Sequence, residues 1–207
     1  SHTLTQTKFT DEKRFNEIFE EIRTRLETSI GSSGFKYARL NSKAKLDTEG
    51  KFNNAIAGVP QLLFVRELDR NKKAAQVMRR LKQVAQKVYR RDNLVVSLAC
   101  SKGLCDKAMA SLQEPVKSFP RLNVEPQQWT FATQKLFDGA AISGQVQFLS
   151  LTSRSDKMAE LYGESLAISQ FLENEYILKK LREQGGAYGG GMTVSYFGDV
   201  GFYSYRD

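Results

Sequence analysis

The chain has 207 residues, 41% hydrophobic and 11% aromatic, enough to bury a core in one large or two small domains. Its formal charge of +8 comes with only two cysteines and one histidine, which argues against a disulfide framework, a zinc finger and histidine general-base catalysis. No stretch approaches the roughly 18–20 uncharged apolar residues of a membrane span, and SHTLTQTKFTDEKR lacks the apolar core of a secretory signal, so a soluble protein with no membrane partner is expected.

In chain order, Thr10 reads as an N-cap followed by the acidic first turn Asp11 and Glu12. Phe15, Ile18, Phe19, Ile22, Leu26 and Ile30 then share one helical face up to Gly31, where the helix is expected to stop. FKYARLNSKAKL offers a strand at Tyr37 to Ser42, and GVPQLLFVREL, from Gly58 to Leu68, a helix. RNKKAAQVMRRLKQVAQKVYRRD carries nine Lys or Arg between Arg70 and Arg91, with Ala74, Val77, Met78, Leu81, Val84, Ala85 and Val88 at helical spacing. That pattern predicts a helix with its apolar stripe on a core and its basic face in solvent; no aromatic residues interleave with the charges for base stacking. NLVVSLACS reads as a β-rich run and Cys105 to about Ser118 as a helix. Cys100 and Cys105, in CSKGLC, lack a second ligand pair and read as reduced, structural thiols.

SFPRLNVEPQQW, with Pro120 and Pro126 and no periodicity, reads as a linker. Beyond it SGQVQFLSL is a strand, SDKMAELYGESLAISQFLENEYILKKLREQ one or two helices, and GMTVSYFG with DVGFYSY a hairpin around Gly198 and Asp199. Strands sit beside helices without the regular alternation of a doubly wound sheet, so the fold class is α+β in two mixed helix/sheet units. The first unit lacks opening strands and the second ends on a hairpin strand without neighbours, so the chain is expected to be a fragment with both units incomplete.

LREQGGAYGGG holds five glycines from Gly185 to Gly191. It lacks the lysine and Ser/Thr of a P-loop, and its order of helix, glycines and strand puts the wrong end of the helix dipole beside an anion. Two readings stay open. Gly185 and Gly186 form a helix C-cap with Gly189 to Gly191 starting an irregular strand, or small residues let a substrate backbone approach while Arg182 and Tyr188 present a cation and a phenol to one point. Such a pair suits a peptide carbonyl gaining negative charge as it becomes tetrahedral. Neither group is a nucleophile or base at neutral pH, so the pair assists chemistry begun elsewhere. Tyr203 and Tyr205 alternate on the final strand and either line a chamber or pack a core.

LREQGGAYGGG followed by FYSYRD closely resembles the C-terminal-half signature of the M16 (pitrilysin/insulinase) zinc metallopeptidases, in the presequence-protease and falcilysin-like branch. KFTDEKRFNEIFEEI, SSGFKYAR and NLVVSLACSK agree more loosely. The resemblance implies four related α+β domains in two halves closing around a chamber where unstructured peptides are cut. Residues 1–119 are then the end of the third domain, 120–130 a linker and 131–207 the beginning of the fourth. It implies zinc held by an inverted H-x-x-E-H motif in the N-terminal half, and an arginine and tyrosine reaching the scissile carbonyl from the C-terminal half; these fall on Arg182 and Tyr188, with Gly185, Gly186 and Gly189 as substrate-loop backbone. With His2 as its one histidine, this chain cannot hold that motif. It is therefore expected to bind no metal or other cofactor and, alone, to cleave nothing; its partners are peptide substrates and the zinc-bearing half of the same polypeptide, in the matrix of a mitochondrion or plastid if the source is eukaryotic. The alternatives are a non-catalytic interaction protein of the same fold and a basic nucleic-acid-binding module, the latter requiring salt-dependent binding through Arg79 and Arg80.

Overall fold

The computed structural model describes residues 7–71, 73–121, 125, 128, 130 and 138–206. His2, Pro126 and much of the expected linker lie outside them. Among the described residues there are eight α-helices and one three-stranded antiparallel sheet, an α+β architecture. None of these helices is long and apolar enough to cross a membrane. The chain separates into two compact units, residues 1–20 with 71–128 and residues 21–70 with 129–207.

Helix α1 runs Glu12–Ser32. Its cap is Asp11 rather than Thr10: the Asp11 carboxylate accepts the Arg14 N–H at 2.9 Å. Gly31 does not end it, because one glycine costs a helix only about 1 kcal/mol and the turn is completed by Ser33 N–H donating to the Ser29 carbonyl at 2.9 Å.

In the unit of residues 21–70 and 129–207, helices α2 (Gly34–Lys43), α3 (Thr48–Ala57) and α4 (Val59–Asn71) precede the sheet. The strand expected at Tyr37 to Ser42 is therefore helix α2. Gly34, Tyr37 and Ala44 are buried at spacings of three and seven, a helical rather than an alternating period, so tertiary burial overrides the aromatic and polar alternation of FKYARLNS. The helix expected over Gly58 to Leu68 is α4, anchored by Leu62 and Val65.

Strand β1 (Phe148–Arg154) leads through α7 (Asp156–Glu160) and α8 (Tyr162–Leu172) into a π-helical run, Glu173–Gln184. The expected hairpin follows as β2 (Gly189–Val194) and β3 (Asp199–Tyr205), and the sheet order is β1-β3-β2. Ser150 pairs with Tyr203 and Thr152 with Gly201, so these residues share a sheet face. Helix α2 packs on that face: the Ser42 hydroxyl lies 2.9 Å from that of Ser150 and 2.6 Å from that of Thr152. A Cβ on Gly34 would fall 2.3 Å from the Phe148 ring, so glycine lets the start of α2 approach β1.

A charged chain ties the same layers together. Asp47 caps α3 by accepting the Gly50 N–H at 2.6 Å and pairs with Arg154 at 2.5 Å; Arg154 also reaches Asp199 at 2.6 Å, which pairs with Lys43 at 3.1 Å. Burial pushes the Asp47 carboxyl up, but the Gly50 N–H and the Arg154 guanidinium outweigh it, leaving the group below its ordinary 3.8. Glu27 lies below its ordinary 4.5 chiefly through its hydrogen bonds from Arg66. Carboxylates lowered in the folded state contribute stability that is present above their ordinary values and lost as pH falls through the folded ones. Thermal melting is thus expected to drop with pH below the ordinary values of 3.8 and 4.5, and to drop less steeply in Asp47→Asn; an equally steep curve in that variant contradicts the assignment.

The other unit is helical among its described residues. Helix α5 (Ala74–Val88) carries the basic run, and α6 (Cys105–Lys117) matches expectation. The Arg91 guanidinium closes the end of α6, donating to the Val116 carbonyl at 3.3 Å and the Lys117 carbonyl at 2.6 Å. Met78 of the α5 stripe is buried and Ala74, Val77 and Ala85 are half-buried, but Leu81, Val84 and Val88 are exposed, so that stripe is only partly covered among the described residues. NLVVSLACS forms no strand: β-propensity needs a ladder partner, none of the described strands pairs with it, and Val95 is 91% exposed. Cys100 and Cys105 are free and exposed, so they do not pack a core.

Candidate functional site

The glycine-rich stretch joins the π-helical run to β2. Gly185 closes the helix where a Cβ would press on the Leu181 and Lys180 carbonyls at 2.9 and 3.0 Å, and Gly186 turns the chain with φ +80. The Ala187 N–H returns to the Leu181 carbonyl at 2.9 Å, which throws Tyr188 outward, 58% exposed. Arg182, on the last turn, is carried back over it: its guanidinium carbon lies 5.7 Å from the Tyr188 ring centroid.

The glycines after Tyr188 seat aromatic rings. Gly189 pairs with Tyr205 and Gly191 with Tyr203 across the ladder. A Cβ on Gly189 would fall 2.6 Å from the Tyr205 hydroxyl, and one on Gly191 2.7 Å from that of Tyr203. Each tyrosine therefore leans across the neighbouring strand into space that a side chain would fill, the aromatic–glycine pairing that stabilises glycine-rich strands. On the other face, a Cβ on Gly190 would meet the Leu181 side chain at 2.6 Å and the Tyr203 carbonyl at 2.8 Å. Gly190→Ala is expected to destabilise the fold by about 1–3 kcal/mol, as overpacking against backbone does; an unchanged denaturation midpoint would show that the hairpin moves to accommodate the methyl.

Beside Tyr188 the rings form a continuous row. Tyr205 lies 5.8 Å from Tyr188 and 6.3 Å from Tyr203, and Phe35 of α2 packs on Tyr205 at 5.9 Å and on Tyr203 at 6.4 Å. The Arg39 guanidinium lies 5.5 Å from the Tyr203 ring centroid. Burial, with the nearby Glu173 carboxylate, pushes the Tyr203 phenol up despite the pull of Arg39, so Tyr203 stays protonated at neutral pH. Tyr203 and Tyr205 thus pack a half-buried aromatic layer, while Tyr188 is its exposed end.

Arg182 and Tyr188 are brought together, and Gly185, Gly186 and Gly189 lie at the turn that joins them. Sequence reading missed Phe35 and Arg39, whose separation by four residues signals one helix face once α2 is known to be a helix. It also missed Arg206, whose guanidinium carbon lies 5.5 Å from the Tyr188 centroid. Chemically the cluster offers guanidinium and phenol donors, an array that suits an oxygen carrying or gaining negative charge. Among the described residues no group of three or more His, Cys, Asp or Glu is arranged to hold a metal ion. These residues do not fit a zinc centre.

A family model for the region associated with peptidases of family M16, subfamily C, matches residues 1–68. The mitochondrial presequence protease of Drosophila melanogaster is 22% identical over 99% of this chain and 20% of its own length. The likeness is to the M16 peptidases of subfamily C. Presequence protease 1 (chloroplastic/mitochondrial) of Arabidopsis thaliana is 23% identical over 99% of this chain and 19% of its own length. The mitochondrial presequence protease of Gibberella zeae is 28% identical over 94% and 20%. The chain thus spans about a fifth of the length of the curated relatives it matches. The family-model match precedes the glycine-rich stretch, whereas the matches to these presequence proteases cover almost all of this chain.

Proposed function

We propose that this chain is the zinc-free, substrate-binding part of a peptide-degrading metalloendopeptidase, in which Arg182 and Tyr188 hold the carbonyl of the scissile bond. The observation that carries the reading is the juxtaposition of the Arg182 guanidinium and the exposed Tyr188 ring at 5.7 Å. A phenol O–H and a guanidinium N–H directed at one carbonyl oxygen stabilise it as it becomes an oxyanion, and the charge-assisted donor is the stronger of the two. The zinc-activated water belongs to another part of the same polypeptide. The glycine backbone at Gly185, Gly186 and Gly189 sets the distance between the two side chains.

The substrates are unstructured peptides, including cleaved organelle-targeting presequences, and, if the source is eukaryotic, the compartment is the matrix of a mitochondrion or plastid; the names of the Drosophila melanogaster and Arabidopsis thaliana presequence proteases support presequences and those organelles. In the same reading residues 1–119 end one M16-type domain, 120–130 connect, and 131–207 open the next. The test is cleavage of an unstructured presequence-like peptide by the full-length protein before and after chelation. Cleavage abolished by chelator and restored by zinc is expected, with Arg182→Leu reducing kcat/KM on the order of 10²-fold at unchanged melting temperature. Chelator-insensitive cleavage, or wild-type kinetics in Arg182→Leu, would overturn the proposal.

A further inference from the structure

Arg206 follows β3 directly and is held at two points. Its N–H donates to the Gln147 carbonyl at 2.9 Å, just before β1, and its carbonyl accepts the Tyr188 N–H at 3.3 Å, just before β2. Its φ is 58, a left-handed conformation that costs an arginine energy and glycine almost none. Such a conformation persists only where its surroundings hold it, and here the starts of both neighbouring strands do so. The outcome is a second guanidinium over the ring that Arg182 already faces.

We propose that Arg206 is a positioning residue for Tyr188: its cation, over the ring, fixes the ring plane and so the direction in which the phenol donates. The interaction engages the π-face and leaves the hydroxyl free for substrate. Tyr205, at 5.8 Å, limits the ring from its neighbouring strand. This rests on the reading of Tyr188 as the carbonyl donor.

The test is a double-mutant cycle in the full-length protein, with Arg206→Gly and Tyr188→Phe alone and together and kcat measured apart from KM. Glycine adopts the φ of 58 without strain, so Arg206→Gly removes the cation without burdening the backbone. The expected result is a kcat lowered about 10-fold in Arg206→Gly at little-changed KM, substantial recovery in Arg206→Lys, and no further loss when Arg206→Gly is added to Tyr188→Phe. Equal losses in both backgrounds, or none in either, overturn the positioning role while Tyr188→Phe still impairs turnover. If Tyr188→Phe itself leaves kcat unchanged, the carbonyl-donor reading fails and the positioning role with it.

Discussion

Replacing Tyr188 with phenylalanine in the full-length protein is expected to lower peptide turnover on the order of 10²-fold and to leave the melting temperature unchanged. The contacts recorded for this side chain are made by its ring, with Tyr205, Arg182 and Arg206, and phenylalanine keeps a ring in that place. On the proposed reading, what is lost is one O–H donated to an oxygen that becomes charged only in the transition state. Removing one such preorganised donor costs about 2.7–4 kcal/mol of transition-state stabilisation, because no solvent dipole is fixed there to replace it. The loss is expected in kcat, with KM nearly unchanged and zinc content retained. Turnover within about 2-fold of wild type would mean that the phenol oxygen does not touch the reacting carbonyl.

Asp199→Ala has the largest expected effect on stability, about 3 kcal/mol. The Asp199 side chain is only 7% exposed and takes Arg154 at 2.6 Å and Lys43 at 3.1 Å. Truncation leaves both cations beside the sheet without this anion, with Asp47 alone still pairing Arg154. The lower end of the range for broken buried pairs applies, because Arg154 and Lys43 remain partly in water. Asp199→Asn, which keeps the volume and one acceptor, separates charge from shape and is expected to lose a smaller part. Denaturant midpoints equal to wild type in both variants would show that the network contributes nothing net. Asp199 opens β3, the strand that ends beside Tyr188, and its ion pair with Arg154 spans two residues paired in the β1–β3 register.

The parts of this site visible before folding are local ones. Arg182 and Tyr188 lie six positions apart around a helix stop, and glycine chemistry alone brings the end of a helix back over the turn that follows. The hairpin of β2 and β3 was legible for the same reason, since alternation and a Gly198 turn sit in adjacent residues. What escaped the sequence depends on partners far along the chain. FKYARLNS alternates well enough for a strand, and becomes helix α2 because Gly34 meets Phe148 and Ser42 meets Ser150 and Thr152, on a strand that begins more than a hundred residues later. Phe35 and Arg39 reach the tyrosine layer only through that helix. NLVVSLACS shows the converse: its composition favours a strand, but composition supplies no ladder. The glycines of β2 illustrate a third limit, since the rings that occupy their space come from residues paired across the hairpin.

The most direct measurement is a kinetic cycle on the full-length protein with zinc present, comparing kcat/KM for an unstructured peptide in wild type, Arg182→Leu, Tyr188→Phe and the double variant. If both side chains hold one developing oxyanion, each single change costs on the order of 10²-fold and the double change costs clearly less than the product of the two. Single variants with wild-type kcat/KM, or losses that simply multiply, would contradict a shared carbonyl and leave the glycine-rich turn as a structural element of the sheet alone.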